Sequence, residues 1–271
     1  MRGTATEKFR KSLTMFRPRV IPVLLLQNKG LVKSIKFKNH RYIGDPINAV
    51  RIFNDLKADE LVFLDILATK EKRIVSLEFV KNVGEEANMP FSVGGGIRTL
   101  EDIRKIIEAG AEKVILNTIA GENPGFVTEA ADAFGSSTIT VCIDVKKDFL
   151  GREKVWIRAG TKSLNSNPVQ YALQMEDRGA GELIIQSIER DGSMEGYDIG
   201  LIKKVAESVS IPVVSLGGAG KWEHIIELNS KVSLNGLAAG SLFIYHGERN
   251  AVLVNYPERE KILQLFKQNL L

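Results

Sequence analysis

Apolar and polar positions alternate in blocks along this chain. Short, β-rich apolar runs fall at Arg19–Leu26, Glu60–Ile66, Pro90–Val93, Lys113–Leu116, Thr138–Asp144, Glu182–Ser187, Pro212–Leu216 and Gly236–Ala239. Amphipathic stretches at Pro46–Leu56, Ile74–Ala87, Leu100–Ala109, Pro168–Arg178, Ile199–Val209 and Lys221–Leu228 lie between them. Strands that alternate with helices predict a parallel sheet. Near-continuous apolar strands predict that both sheet faces are covered. Eight such units close most naturally into a (βα)8 TIM barrel, with an open doubly wound sheet as the alternative α/β fold. Two longer segments, Gln27–Asp45 and Val145–Asn167, read as loops at the active end of that barrel.

The pattern also repeats. Ala58–Ile66 is similar to Ala180–Ile188 at an offset of 122 residues, and Pro90–Gly95 is similar to Pro212–Gly218 with a one-residue slip between the glycine pairs. Each half therefore holds four strand–helix units, and the barrel reads as two similar half-barrels. A repeat of this length is a duplication within a domain; solenoid periods are shorter.

Composition narrows the function classes. The chain has 271 residues, 44% of them hydrophobic and 26% charged, enough for one large core. A net charge of +4 is far from the basic stripe of a nucleic-acid binder and suits an anionic small molecule. No apolar run reaches the 18 residues of a membrane-spanning helix. Cys142 is the only cysteine, which fits a reducing, cytoplasmic setting. The leader Met1–Arg17 is basic without an apolar core, and Met15 offers an alternative start. The expected division is a terminal extension over residues 1–18 and one barrel domain over residues 19–271.

Glycines mark the candidate anion sites. Gly94-Gly95-Gly96 follows the third strand, with Asn117-Thr118 at the end of the fourth. Gly217-Gly218 follows the seventh, with Ala239-Gly240-Ser241 after the eighth. Glycine turns at strand ends let backbone N–H groups approach an anion, and the helix that follows adds a favourable dipole. Two such constructions predict two phosphate sites facing each other across one mouth, suited to a substrate with a phosphate at each end. The bland alternative is that these glycines only make tight turns. Asp65, Asp144 and Asp191 stand at or after strand ends, where a carboxylate serves proton transfer, ligand binding or loop structure. Asp191-Gly192 is equally a turn signal. Arg19, Glu60, Lys113 and Glu182 stand at the opposite ends of their strands, and taken alone they read as charges facing water. His40, His224 and His246 have no metal-ligand spacing and read as surface or packing residues. Neither a metal nor a cofactor is implied.

Together these runs resemble the cyclase subunit of imidazole glycerol phosphate synthase, over Asp59–Ile66, Pro90–Ile97, Lys113–Thr118, Ile143–Lys146, Arg178–Glu182, Ser187–Gly192, Gly196–Asp198 and Gly217–Lys221. The resemblance spans about Arg19 to Tyr245. It implies a (βα)8 barrel that takes ammonia from a glutaminase partner docked at its bottom and uses it at its top. There an aminonucleotide with two phosphates is split and cyclised. Gly95, Gly96, Asn117 and Thr118 would hold one phosphate, and Gly217, Gly218, Ala239 and Ser241 the other. Asp65, Asp191 and Gly192 would belong to the substrate-binding rim, and Lys33 matches the lysine of the mobile first loop. Asp144 matches one of two catalytic aspartates. Arg19, Glu60, Lys113 and Glu182 match the salt-bridged ring that gates ammonia entry, which replaces their bland reading.

The other catalytic aspartate is missing, and Leu25 fills its place in Pro22-Val23-Leu24-Leu25-Leu26-Gln27-Asn28. Leucine can neither take nor give a proton, and losing one general acid or base typically costs about 10²–10⁴ in rate. This departure resembles a paralogous group that works with its own glutaminase-like partner and a sugar amidotransferase to form acetamidino sugars for surface polysaccharides. The expected function is nitrogen delivery of that kind. A histidine-pathway lyase subunit that tolerates Leu25, and a non-catalytic phosphate-binding scaffold, are the alternatives.

Overall fold

Strand β1 (Arg19–Gln27) pairs in parallel with β4 (Leu61–Asp65) on one side and with β12 (Gly236–Ala239) on the other. That double pairing closes the sheet. The remaining barrel strands are β5 (Phe91–Gly94), β6 (Lys113–Leu116), β7 (Ile139–Lys147), β10 (Glu182–Ser187) and β11 (Val213–Leu216), each paired in parallel with the next. The computed structural model describes residues 17–247 and 249–267. Residues 1–16 of the expected extension lie outside them; Arg17, just before β1, grips the Asp59 carboxylate with bonds of 2.6 and 2.7 Å. The eight strands and their helices make the (βα)8 barrel that the pattern predicts.

Side chains along a strand alternate between two faces, and closure turns those faces into a lumen and an outer wall. Ile21, Val23, Val62, Ile115, Cys142, Ile184, Val214 and Ala238 pack inside. Val20, Leu24, Leu61, Phe63, Val93, Ile143 and Leu183 pack outward against the helices. Those helices are α1 (Pro46–Asp55), α2 (Leu77–Glu86), α3 (Leu100–Glu108), α4 (Thr118–Glu122), α5 (Gly125–Phe134), α6 (Pro168–Asp177), α7 (Ile199–Ala206) and α8 (Trp222–Lys231), with α9 (Arg259–Lys267) after the barrel. Local chemistry sets their starts. Asp45 caps α1 with Pro46 in its first turn, and Thr99 and Asp102 form a reciprocal capping box on α3. Among the described residues no helix is long and apolar enough to cross a membrane.

The two segments read as loops are instead β-hairpins. After β1 the chain turns back as β2 (Gly30–Ile35), which pairs antiparallel with the upper end of β1, and then forms β3 (Lys38–Gly44). After β7 it turns back as β8 (Glu153–Ile157) and β9 (Lys162–Ser163). Both form because β1 and β7, nine residues each, outrun their parallel neighbours and leave backbone groups free. The two-residue turn of the first hairpin places Lys36 (φ 52°) and Phe37 (φ 60°) in the left-handed region, where Asn-Gly is the favoured pair. Bulky residues there cost about 1–3 kcal/mol each, so contacts elsewhere must hold them.

The half-barrel repeat is visible in the packing. A Cβ at Gly95 would lie 2.9 Å from the Asp65 carbonyl oxygen, and one at Gly217 would lie 2.9 Å from that of Ser187. A Cβ at Gly96 would overlap the Arg73 oxygen, and one at Gly218 that of Gly196. Gly95 thus corresponds to Gly217 and Gly96 to Gly218. The one-residue slip expected between the glycine pairs is absent, because Gly94 matches Leu216 at the end of each strand.

Tyr256 fastens the C-terminal segment beneath the barrel. Its hydroxyl donates to the Val20 carbonyl at 3.0 Å and accepts from the Asp59 amide at 3.3 Å. The ring packs edge-on to Phe53 and against Phe243. Tyr256→Phe keeps the ring and leaves both backbone groups unpaired, so it lowers unfolding free energy by about 1–3 kcal/mol, read as a fall in urea midpoint at unchanged slope.

Candidate active site

The carboxyl-terminal ends of the barrel strands meet at one mouth, where a cavity of about 170 Å³ opens. Its wall includes Leu25, Leu64, Asn117, Cys142, Asp144 and Gln186. Asp144 lies near the top of β7 on the lumen side, two residues above Cys142. Asn117, directly after β6, reaches across, donating to Asp144 Oδ2 at 3.2 Å and to the Cys142 carbonyl at 3.0 Å. Burial pushes the Asp144 carboxyl up to about 7; the Cys142 thiol bond opposes this, the Asp191 charge adds to it and the Asn117 bond opposes it. A carboxyl that changes protonation near neutrality is suited to proton transfer. Leu25, 8% exposed, faces this same cavity from β1. The Leu25 position is therefore turned toward the cavity that Asp144 lines and carries only methyl groups.

The first glycine turn opens into the cavity. Gly95, Gly96, Asn117 and Thr118 all line it. The turn is braced from below by Asp65, whose carboxylate accepts from the Leu67 and Ala68 amides at 3.0 and 3.1 Å and from Arg73 at 2.5 Å. All of these bonds lie within its own loop. Thr118 accepts from the Arg158 amide at 3.2 Å and so ties the second hairpin to the rim.

The second turn is differently placed. Gly217, Gly218, Ala239 and Ser241 are buried, and none lines the cavity. A Cβ at Gly240 would overlap Lys33 Nζ, so the lysine ammonium lies against the glycine between Ala239 and Ser241. Burial lowers Lys33 to about 8, and Asp191 only partly offsets this. Lys33 makes no ion pair among the described residues. The first hairpin is held in place by the Asp191-Gly192 turn. Asp191 Oδ2 accepts from Ser34 Oγ at 2.7 Å and from the Phe37 amide at 3.1 Å, while its carbonyl accepts from the Lys36 amide at 3.0 Å. These bonds secure the strained Lys36–Phe37 tip, and Phe37 closes over the cavity beside Gly160.

At the opposite end of the lumen the four strand-start charges form one network. Arg19 pairs with both Glu60 and Glu182, and Lys113 pairs with Glu182 at 2.9 Å. Ser92 Oγ donates to Glu60 at 2.9 Å. Glu60 is 4% exposed and Glu182 6%, so the two carboxylates do not face water, while Arg19 and Lys113 are partly exposed. Buried carboxylates at such sites depend on their partners, because an unpaired buried charge is costly.

Several cavity residues were not anticipated as site residues, among them His40, Cys142 and Gln186. His40, read from sequence as a surface or packing residue, lines the rim from β3. Cys142 and Gln186 line the inner wall. The alternation of β7 and β10 would have found the last two, since Cys142 shares a face with Asp144 and Gln186 stands beside Asp144 in register. Among the described residues no group of three or more His, Cys, Asp or Glu is placed to hold a metal ion.

Comparison with known proteins agrees with this architecture. A Leptospira interrogans protein, provisionally named imidazole glycerol phosphate synthase subunit HisF, is 45% identical over 253 residues, covering 93% of this chain and 100% of that protein. A Pseudomonas aeruginosa protein, provisionally named subunit hisF2 of the same synthase, is 43% identical over 92% of this chain and 99% of its own length. Subunit HisF of imidazole glycerol phosphate synthase from Streptococcus sanguinis is 38% identical over 85% of this chain and 92% of its own length. The family described as histidine biosynthesis protein matches residues 19–250, from the first barrel strand to beyond the eighth, and this chain belongs to that family.

Proposed function

We propose that this chain is the barrel subunit of a glutamine-dependent synthase resembling imidazole glycerol phosphate synthase. It receives ammonia from a glutaminase partner at the barrel floor and delivers it for acetamidino-sugar formation in the cytoplasm. The observation that carries the reading is the contrast between the two ends of the lumen. At the floor Arg19, Glu60, Lys113 and Glu182 are all retained and joined. At the mouth Leu25 stands where the second proton-transfer group would be.

The chemistry follows from that contrast. Ammonia is small and neutral in its reactive form, and a lumen walled by Ile21, Val23, Val62, Ile184 and Val214 excludes the bulk water that would protonate it. The floor network is charged and hydrogen-bonded, and moving the Arg19 or Lys113 side chain would open it. At the mouth the glycine turns hold a phosphorylated compound, and Lys33 neutralises the phosphate at the second turn. With Asp144 alone, cyclisation lacks one of its two proton-transfer groups. The nitrogen then passes to a sugar amidotransferase that supplies the acceptor. Asp144, poised near neutrality, and the paired glycine turns favour a second reading, a histidine-pathway lyase that cyclises without the second carboxylate.

Ammonium-dependent turnover of the histidine-pathway aminonucleotide separates the two. Under the nitrogen-delivery reading the purified chain is silent, and Leu25→Asp gains activity while losing about 1–3 kcal/mol of stability to a newly buried carboxyl. Wild-type turnover at a rate ordinary for enzymes would sink that reading in favour of the lyase.

Lys33 gives a second test. Near pH 8 it is roughly half protonated, and an anion at the Gly240 turn raises its pKa, so binding takes up to about half a proton. Calorimetry of glycerol 3-phosphate in buffers of different ionisation enthalpy reads that uptake. It vanishes in Lys33→Met and fades at pH 6, where the lysine is already charged.

A further inference from the structure

Strands β7 and β10 are neighbours, and Asp144 and Gln186 stand opposite one another in register. Both are inward-facing, and Gln186 is 5% exposed. The Cys142 thiol lies just below them. Its Sγ is 3.5 Å from Asp144 Oδ1 and 4.0 Å from Gln186 Oε1. Two strong acceptors thus converge on one weak donor. The other Asp144 oxygen is already engaged by Asn117. The Gln186 amide nitrogen donates to no partner among the described residues.

The surroundings are one-sided. Across the mouth stand Leu25 and Leu64, with Leu216 packed beside them. Below lie Ile115, Ile184, Val62 and Val23. Above the level of Glu182 and Thr140, a small N–H donor rising through the lumen meets apolar walls and the thiol before it meets these two oxygens. The cavity lined by Cys142, Asp144 and Gln186 has room for it.

We propose that Asp144 Oδ1 and Gln186 Oε1 form an ammonia-capture site at the top of the lumen, with Gln186 positioning the nitrogen nucleophile. This rests on the passage of ammonia proposed above. A carboxamide accepts an N–H bond without adding a second negative charge. Two carboxylates would hold ammonium, which has no lone pair for attack, too firmly; with one carboxylate and one carboxamide, an ammonium ion captured here can return its proton to Asp144 and leave ammonia, the nucleophilic form. Leu25 then completes the site by closing its far side to water.

The test follows the Asp144 carboxyl by carbon-13 NMR across a pH titration, with the resonance assigned by Asp144→Asn. The groups that influence this carboxyl are Cys142 on its own strand, Asn117 after β6, Asp191 after β10 and Tyr171 on α6. Ammonium chloride is compared with potassium chloride and tetramethylammonium chloride at equal ionic strength. Ammonium is expected to lower the Asp144 pKa by at least about half a unit beyond the other salts, because a bound cation favours the carboxylate. Gln186→Met, similar in volume, should lose that excess. Gln186→Glu should enlarge it, which gives a second reading if the Met variant folds poorly. An equal shift in potassium, no excess in the wild type, or an undiminished excess in Gln186→Met overturns the site. An ammonium-specific shift together with robust wild-type cyclisation would instead overturn the acetamidino-sugar reading and leave the capture site standing.

Discussion

Closure of the eight-stranded sheet is the constraint on which the rest of this molecule depends. Once β1 pairs with both β4 and β12, the two-residue period of each strand decides which side chains enter the lumen. Arg19, Ile21, Val23 and Leu25 then share one face. A one-residue slip would drive Arg19 among the helices, leaving Glu60 buried without a counter-charge and Glu182 with Lys113 alone. The pairing register therefore holds the polar floor, the apolar tube and the mouth in one line.

The mouth is built twice from the same part and used differently in each half. In both halves a glycine pair lies so close to the preceding loop that a side chain would strike a carbonyl oxygen. In the first half the loop is braced internally by Asp65 and Arg73, and the glycine turn stays open to the cavity. In the second half Ser187 stands where the first has Asp65, and the bracing acid is Asp191, whose bonds reach instead to the first hairpin. That hairpin brings Lys33 over the second turn. Duplication thus supplied two similar glycine turns, and the hairpin made them unequal.

Electrostatics divides the molecule along its axis. At the floor, the buried Glu60 and Glu182 are paired with the partly exposed Arg19 and Lys113. At the mouth, the buried charges are less completely matched: Asp144 is raised toward neutrality and Lys33 is lowered toward it. Groups with this character change protonation readily when a ligand arrives, whereas the floor network resists change until a side chain moves.

Much of this was legible in the residues. The apolar runs located all eight barrel strands to within a residue or two at most ends, because buried parallel strands need continuous apolar stretches. The glycine turns were also legible, since each stands at a fixed distance from a strand, whereas the joining of the four strand-start charges and the reading of Leu25 came only with the family resemblance. Helices α4 and α5 were missed, as Asn123 and Pro124 interrupt the pattern between them. The hairpins were missed because β3 is almost wholly polar and exposed, and it forms only where β1 outruns β12 and offers free backbone to β2. Nor could the residues alone disclose that Lys33 reaches Gly240, or that Cys142 lies between Asp144 and Gln186. The sequence by itself determined the barrel and its two halves, because these follow from local periodicity and residue type. Only the tertiary structure decided which charges are joined, which glycine turn opens to the cavity and which oxygens converge, because those depend on distances between strands remote in the chain.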